Sequence, residues 1–112
     1  MENEKKRWCA NDVESSYLIH PGEIILDEIR YLKISQKRLA DCLGIPRSQL
    51  NEILHGKRPV SPEIALMVQE ALGISAQALL NMQTAYDIRI AKRDKAFLER
   101  LQRIVPFAAA SL

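Results

Sequence analysis

Apolar residues recur along this chain at helical spacing and nowhere alternate, so the pattern predicts helices and no strand. His20-Pro21-Gly22-Glu23 opens the first helix: Pro21 suits its entry and Glu23 its positive start, and Ile25, Ile29 and Leu32 share one face. Lys33-Ile34 is a short link to Ser35, whose hydroxyl can cap a second helix that carries Leu39 and Ala40 inward and runs to about Leu43. Gly44 stands where the chain must leave that helix sharply, because a residue without Cβ enters the left-handed region at least cost, and Ile45 plugs the corner. Pro46, with φ preset and no N–H to donate, fits the first turn of a short third helix that turns Leu50, Ile53 and Leu54 inward and stops at Gly56. Ser61-Pro62-Glu63 repeats the cap, proline and acid order ahead of Ile64, Ala65, Val68, Ala71 and Leu72, up to Gly73. Ser75 caps a longer fifth helix through Leu79, Leu80, Met82, Tyr86 and Ile90, which lasts until the charged run Lys92-Arg93-Asp94-Lys95. A final amphipathic segment with Phe97, Leu98, Leu101, Ile104 and Val105 ends at Pro106, leaving residues 107–112 as a nonpolar tail.

These elements predict an all-α chain with a five-helix body over residues 19–93, a flexible polar arm over 1–18 and a helical C-terminal extension over 94–112. Its 112 residues hold one compact domain, and 47% hydrophobic content with only 5% aromatic fits aliphatic helix packing. The 16 basic and 14 acidic side chains nearly cancel, so net charge by itself gives no argument for a nucleic-acid partner. Its distribution does change the picture, because the densest positive surplus surrounds Arg47, Lys57 and Arg58. Cys9 and Cys42 stand alone, without zinc or disulfide spacing, and Cys42 reads as a small core residue. No apolar run approaches the ~20 residues of a membrane span and no signal peptide opens the chain, which predicts a cytoplasmic protein with no membrane partner. No nucleophile, metal cluster or phosphate-cradling loop is present, His20 and His55 lack catalytic partners, and adjacent Asp27 and Glu28 splay apart; neither an enzyme nor a cofactor is implied.

The third helix changes the question from fold to function. An α-helix fits the major groove of B-DNA, and a neighbouring helix must lock it so that outward residues meet base edges in register. Residues 35–58 encode that arrangement: an inner face of Leu39, Ala40, Leu50, Ile53 and Leu54, a corner at Leu43-Gly44-Ile45, and an outward set of Arg47, Ser48, Gln49, Asn51 and Glu52. Those five are hydrogen-bonding side chains. Arg47 can grip guanine O6 and N7 together, and Glu52 can accept from cytosine N4 or simply repel phosphate.

Ser35-Gln36-Lys37-Arg38-Leu39-Ala40, Leu43-Gly44-Ile45 and Ile53-Leu54-His55-Gly56-Lys57-Arg58 resemble the lambda-repressor/Cro (XRE) class of helix-turn-helix. The flanking His20-Pro21-Gly22-Glu23, Val60-Ser61-Pro62-Glu63-Ile64-Ala65 and Leu80-Asn81-Met82-Gln83-Thr84-Ala85-Tyr86-Asp87 extend the resemblance to the HigA/VapI-type addiction-module antitoxins, over roughly residues 19 to 93. The resemblance implies a lambda-repressor-like fold and double-stranded DNA as ligand. It also implies that Gln36 contacts a phosphate and buttresses the third helix, and that Arg47 and Ser48 reach base edges. Gln49, Asn51 and Glu52 are second-rank readers, while Ser35, Gln36 and Lys37 at a helix start, with Lys57 and Arg58, are phosphate contacts. This chain departs from the pattern at Pro46, where relatives often have a capping Ser or Thr, at Glu52, often a neutral residue, and at Leu79, where some have tryptophan.

As a member of that family the chain would repress its own operon and neutralise a protein toxin of the HigB/RelE-like ribonuclease class. Its transcriptional operator would be palindromic and read by a homodimer, with half-sites roughly 34–36 Å apart. The apolar face of Phe97, Leu98, Leu101, Ile104 and Val105 either folds back as core or packs against the second subunit. Two alternatives stay open: a solitary or phage-type repressor without a toxin, and a protein-interaction module that ignores DNA.

Overall fold

The structure, a computed structural model, describes residues 18–110; all but the last residue of the expected N-terminal arm, with Trp8 and Cys9, lies outside it. The described residues form helices α1 (Pro21–Tyr31), α2 (Gln36–Leu43), α3 (Arg47–Leu54), α4 (Pro62–Leu72), α5 (Ala76–Ala91), α6 (Lys95–Gln102) and the single turn α7 (Phe107–Ala110), with no strand among them. α2 packs on α3 and α4, α1 on α3 and α5, and α4 on α5. Their shared core holds Ile25 and Ile29 of α1, Leu39 and Ala40 of α2, Leu50, Ile53 and Leu54 of α3, Ala65 and Val68 of α4 and Leu79 of α5.

Every helix from α1 to α6 except α3 starts at a side chain that accepts a first-turn N–H; α3 follows Pro46 without such a cap. Ser35 Oγ accepts from the Arg38 N–H at 3.0 Å, Ser61 Oγ from Ile64 at 3.2 Å and Ser75 Oγ from Ala78 at 3.1 Å, as their positions predict. At α1 the cap is an imidazole: His20 Nδ1 accepts from the Gly22 N–H at 2.9 Å, while the His20 N–H donates to Glu23 Oε2 at 3.4 Å.

The first three helices end in one repeated way. The N–H of Ile34 donates to the Ile29 carbonyl and that of Lys33 to Arg30; Ile45 and Gly44 donate to Ala40 and Asp41; Lys57 and Gly56 donate to Glu52 and Ile53. This nested pair of bonds needs a left-handed residue, supplied by Gly44 at φ 71°, Gly56 at φ 76° and, against steric preference, Lys33 at φ 60°. The residue after it is turned back over its helix, and in the first two turns it is Ile34 or Ile45 resting on the core. In the third it is Lys57, exposed.

Several expectations are corrected. Cys42 is exposed rather than core, because it lies about 100° around α2 from the face centred on Leu39, Ala40 and Leu43. Leu32 leaves the inner face of α1, being the C-cap at 44% exposure just before left-handed Lys33. Pro46 precedes the first turn of α3 as its N-cap, at ψ 143°, and α3 itself ends at Leu54 rather than Gly56. Ala71 and Ile90 are exposed, and the last amphipathic segment ends its helix at Gln102, before Pro106, with part of the expected tail forming α7. α6 buries none of its residues, leaving Leu101, Ile104 and Val105 exposed.

A close approach joins the start of α1 to the end of α3. A methyl group on Gly22 would collide with the carbonyl oxygen of Ile53. Gly22→Ala must therefore push the two helices apart, and is expected to destabilise the fold by about 1–3 kcal/mol. Thermal unfolding followed by circular dichroism checks this: a clear drop in Tm is expected, and an unchanged Tm would show that the contact yields freely.

Candidate nucleic-acid interface

α3 has only eight residues and no side-chain cap, so its orientation is imposed by its surroundings. From beneath, Leu50, Ile53 and Leu54 anchor it in the core. From the side, Asn51 Nδ2 donates to Gln36 Oε1 at 3.0 Å and ties α3 to the first turn of α2. At its C-terminal end, Gly22 meets Ile53 and the reversed turn fixes residues 55–58.

The outward side chains meet across a shallow cleft of about 500 Å³ lined by Gln36, Arg47, Ser48, Asn51, Glu52 and Lys57. Arg47 and Ser48, in the first turn of α3, are exposed, and Gln49 is half-buried beside Leu50. Neither Arg47 nor Lys57 has an ion-pair partner among the described residues, so both ammonium and guanidinium charges are available to a ligand. Ser35 is exposed and occupied in capping, and Lys37 pairs with Asp41 at 3.1 Å on the solvent side of α2. The structure also brings together two residues that the sequence treats as separate: Arg58 Nε and Nη2 both donate to Glu52 Oε1, at 2.9 and 2.8 Å. The terminal set of Phe97, Leu98, Leu101, Ile104 and Val105 stands apart from this cleft, on and after α6.

Two supporting residues lie behind the cleft. Gln83 of α5, buried, accepts from the Val60 N–H at 2.8 Å and donates to Asp87 Oδ1 at 2.9 Å, holding the chain that returns from α3. Its place between half-buried Met82 and exposed Thr84 carries no sequence signal, since a glutamine on a long helix usually faces water. His20, 3% exposed, packs against Gly56 and meets the Tyr86 ring edge-on at 4.9 Å between centroids. The one imidazole thus caps α1 and holds the loop that carries Lys57 and Arg58.

With this geometry in view, comparison places the chain among known proteins. The helix-turn-helix family matches residues 31–79. Virulence-associated protein I of Dichelobacter nodosus is 40% identical over 93 residues, covering 80% of this chain and 82% of that protein. An addiction-module antidote protein of the HigA family from Coxiella burnetii superposes with a TM-score of 0.71 at 35% identity, over 81% of this chain and 99% of the other. The Pseudomonas aeruginosa antitoxin HigA, solved with the higBA promoter, gives a TM-score of 0.71 at 30% identity, over 80% and 98% of the two chains. The chain belongs to the helix-turn-helix addiction-module antitoxins of the HigA/VapI type.

Burial holds the His20 pKa below its usual value, although the charges of Glu23 and Asp87 pull it upward. Unfolded His20 therefore takes up a proton at higher pH than folded His20. The stability it supplies is whole above about pH 6.5 and is lost as pH falls through the window below that value. Tm is expected to drop between pH 7 and pH 5, and His20→Asn, which keeps a capping acceptor, should flatten that dependence. An equal slope in the variant would assign the acid loss to other groups.

Proposed function

We propose that this chain is a DNA-binding antitoxin that represses its own operon as a homodimer on a palindromic operator, and that it neutralises a HigB/RelE-like ribonuclease toxin. The observation that carries the DNA half is the exposed row of Arg47, Ser48 and Asn51 on a short helix whose orientation is fixed from below, from the side and at its end. In this reading α3 enters the major groove. Arg47 and Ser48 meet base edges, Gln49 and Asn51 contribute further along, and Asn51 also answers to Gln36. Ser35, Gln36 and Lys37 bring the start of α2 to one phosphate strand, and Lys57 reaches the backbone beyond α3. Glu52 and Arg58 enter as a bonded pair rather than as a separate reader and anchor.

One copy of an eight-residue reader covers few base pairs, so affinity calls for two half-sites. α6 and the residues after it, with Phe97, Leu98, Leu101, Ile104 and Val105, supply an apolar face for the second subunit. The toxin half rests on membership of the antitoxin family. No helix among the described residues is long and apolar enough to cross a membrane, which agrees with a cytoplasmic site of action.

Gel-shift titration of the chain on its own promoter tests the proposal. Wild type is expected to bind with strong salt sensitivity, and Arg47→Ala to lose about 1–3 kcal/mol of operator affinity. No shift by wild type at low salt would reject DNA binding. A stable complex with the product of an adjacent small basic reading frame supports the toxin half, and its absence favours a solitary repressor.

A further inference from the structure

Glu52 is an acid on the outward face of the helix that would enter DNA, where an unneutralised carboxylate would repel phosphate. The turn after α3 removes that problem. The Lys57 N–H donates to the Glu52 carbonyl at 2.8 Å and the Gly56 N–H to Ile53 at 3.1 Å, so the chain doubles back and delivers Arg58 beside the carboxylate six positions earlier. Both Nε and Nη2 of Arg58 then converge on the single oxygen Glu52 Oε1. The loop that makes this contact is not slack, because its Gly56 lies against the buried His20 ring. Lys57, the neighbouring cation, has no such partner among the described residues and lines the cleft.

We propose that Glu52 acts through Arg58: it withholds the Arg58 charge from the DNA backbone and thereby lowers the sequence-independent part of the affinity, on operator and non-operator sequence alike. The inference rests on the DNA-binding reading above. A cation bound to a phosphate releases a counterion and strengthens binding to every sequence alike, which adds affinity without discrimination. A cation already neutralised within the protein makes no such contribution. Lys57 then anchors the backbone, Arg47 and Ser48 carry the readout, and the Glu52–Arg58 pair presents a neutral surface between them. Glu52 is accordingly a positioning residue in this account and not a reader of cytosine.

The test is a salt titration of wild type, Glu52→Gln, Arg58→Ala and the double variant on the chain's own promoter duplex and on a scrambled duplex of equal length and composition. Glu52→Gln should liberate Arg58, raise affinity for the scrambled duplex several-fold and steepen the slope of log K against log salt by about 0.9. Operator affinity should rise by a similar factor, so that the ratio of operator to scrambled affinity stays near its wild-type value. Arg58→Ala should weaken both duplexes through the exposed carboxylate without the loss of slope expected for a missing phosphate contact. The double variant should return scrambled binding to near the wild-type level. If Glu52→Gln weakens the operator alone, Glu52 reads a base and the proposal fails. If Arg58→Ala lowers the slope by about 0.9 in the presence of Glu52, Arg58 already holds a phosphate and the proposal likewise fails. Wild-type binding and its weakening by Arg47→Ala stand or fall separately, and decide the DNA-binding reading.

Discussion

The arrangement of the candidate interface depends on the approach of Gly22 to the carbonyl of Ile53. Isolated helices of eight residues are barely stable, and α3 lacks a side-chain cap, so it has the conformation and direction that its neighbours impose. The missing side chain at Gly22 lets the start of α1 close against the end of α3. His20 then makes that closure useful. The imidazole that caps Gly22 also abuts Gly56, so the entry of α1 and the exit of α3 meet at the same ring. Apolar burial of Leu50, Ile53 and Leu54 supplies the strength of the assembly, and these contacts supply its register.

Much of this was legible in the residues. Proline and serine at helix starts, glycine at three sharp exits, and apolar residues at helical spacing specify α1 to α5 to within a residue or two, because each signal acts on the backbone beside it. The exit of α1 was less legible, since a lysine takes the left-handed place that the other two turns give to glycine. Cys42 and Leu32 were misplaced for a related reason: apolar character suggests burial, but one faces away from the core and the other follows the last full turn. Contacts between elements were the hardest to foresee. Gln83 gripping Val60 and Arg58 bonded to Glu52 both depend on where a turn returns the chain, which a local pattern does not encode.

The face around α3 is consequently less positive than its count of basic residues suggests. Arg58 is matched by Glu52 and Lys37 by Asp41, while Arg47 and Lys57, both lining the cleft, have no ion-pair partner among the described residues. Exposed pairs of this kind add little to stability, commonly under ~1 kcal/mol, so their consequence is for charge rather than for the fold. Membership of the HigA/VapI-type antitoxins gives that charge arrangement a context, and the near-neutral sum of the chain fits a protein whose binding relies on position more than on bulk attraction.

The most direct test of the central claim is to map which backbone amides respond when the chain is titrated with its promoter duplex, by heteronuclear NMR. The account predicts the largest shifts at residues 35–37, 47–52 and 57–58, with the outer face of α4 around Leu66 unmoved. Perturbation confined to α4 or α6, with the α3 amides unchanged, would contradict it.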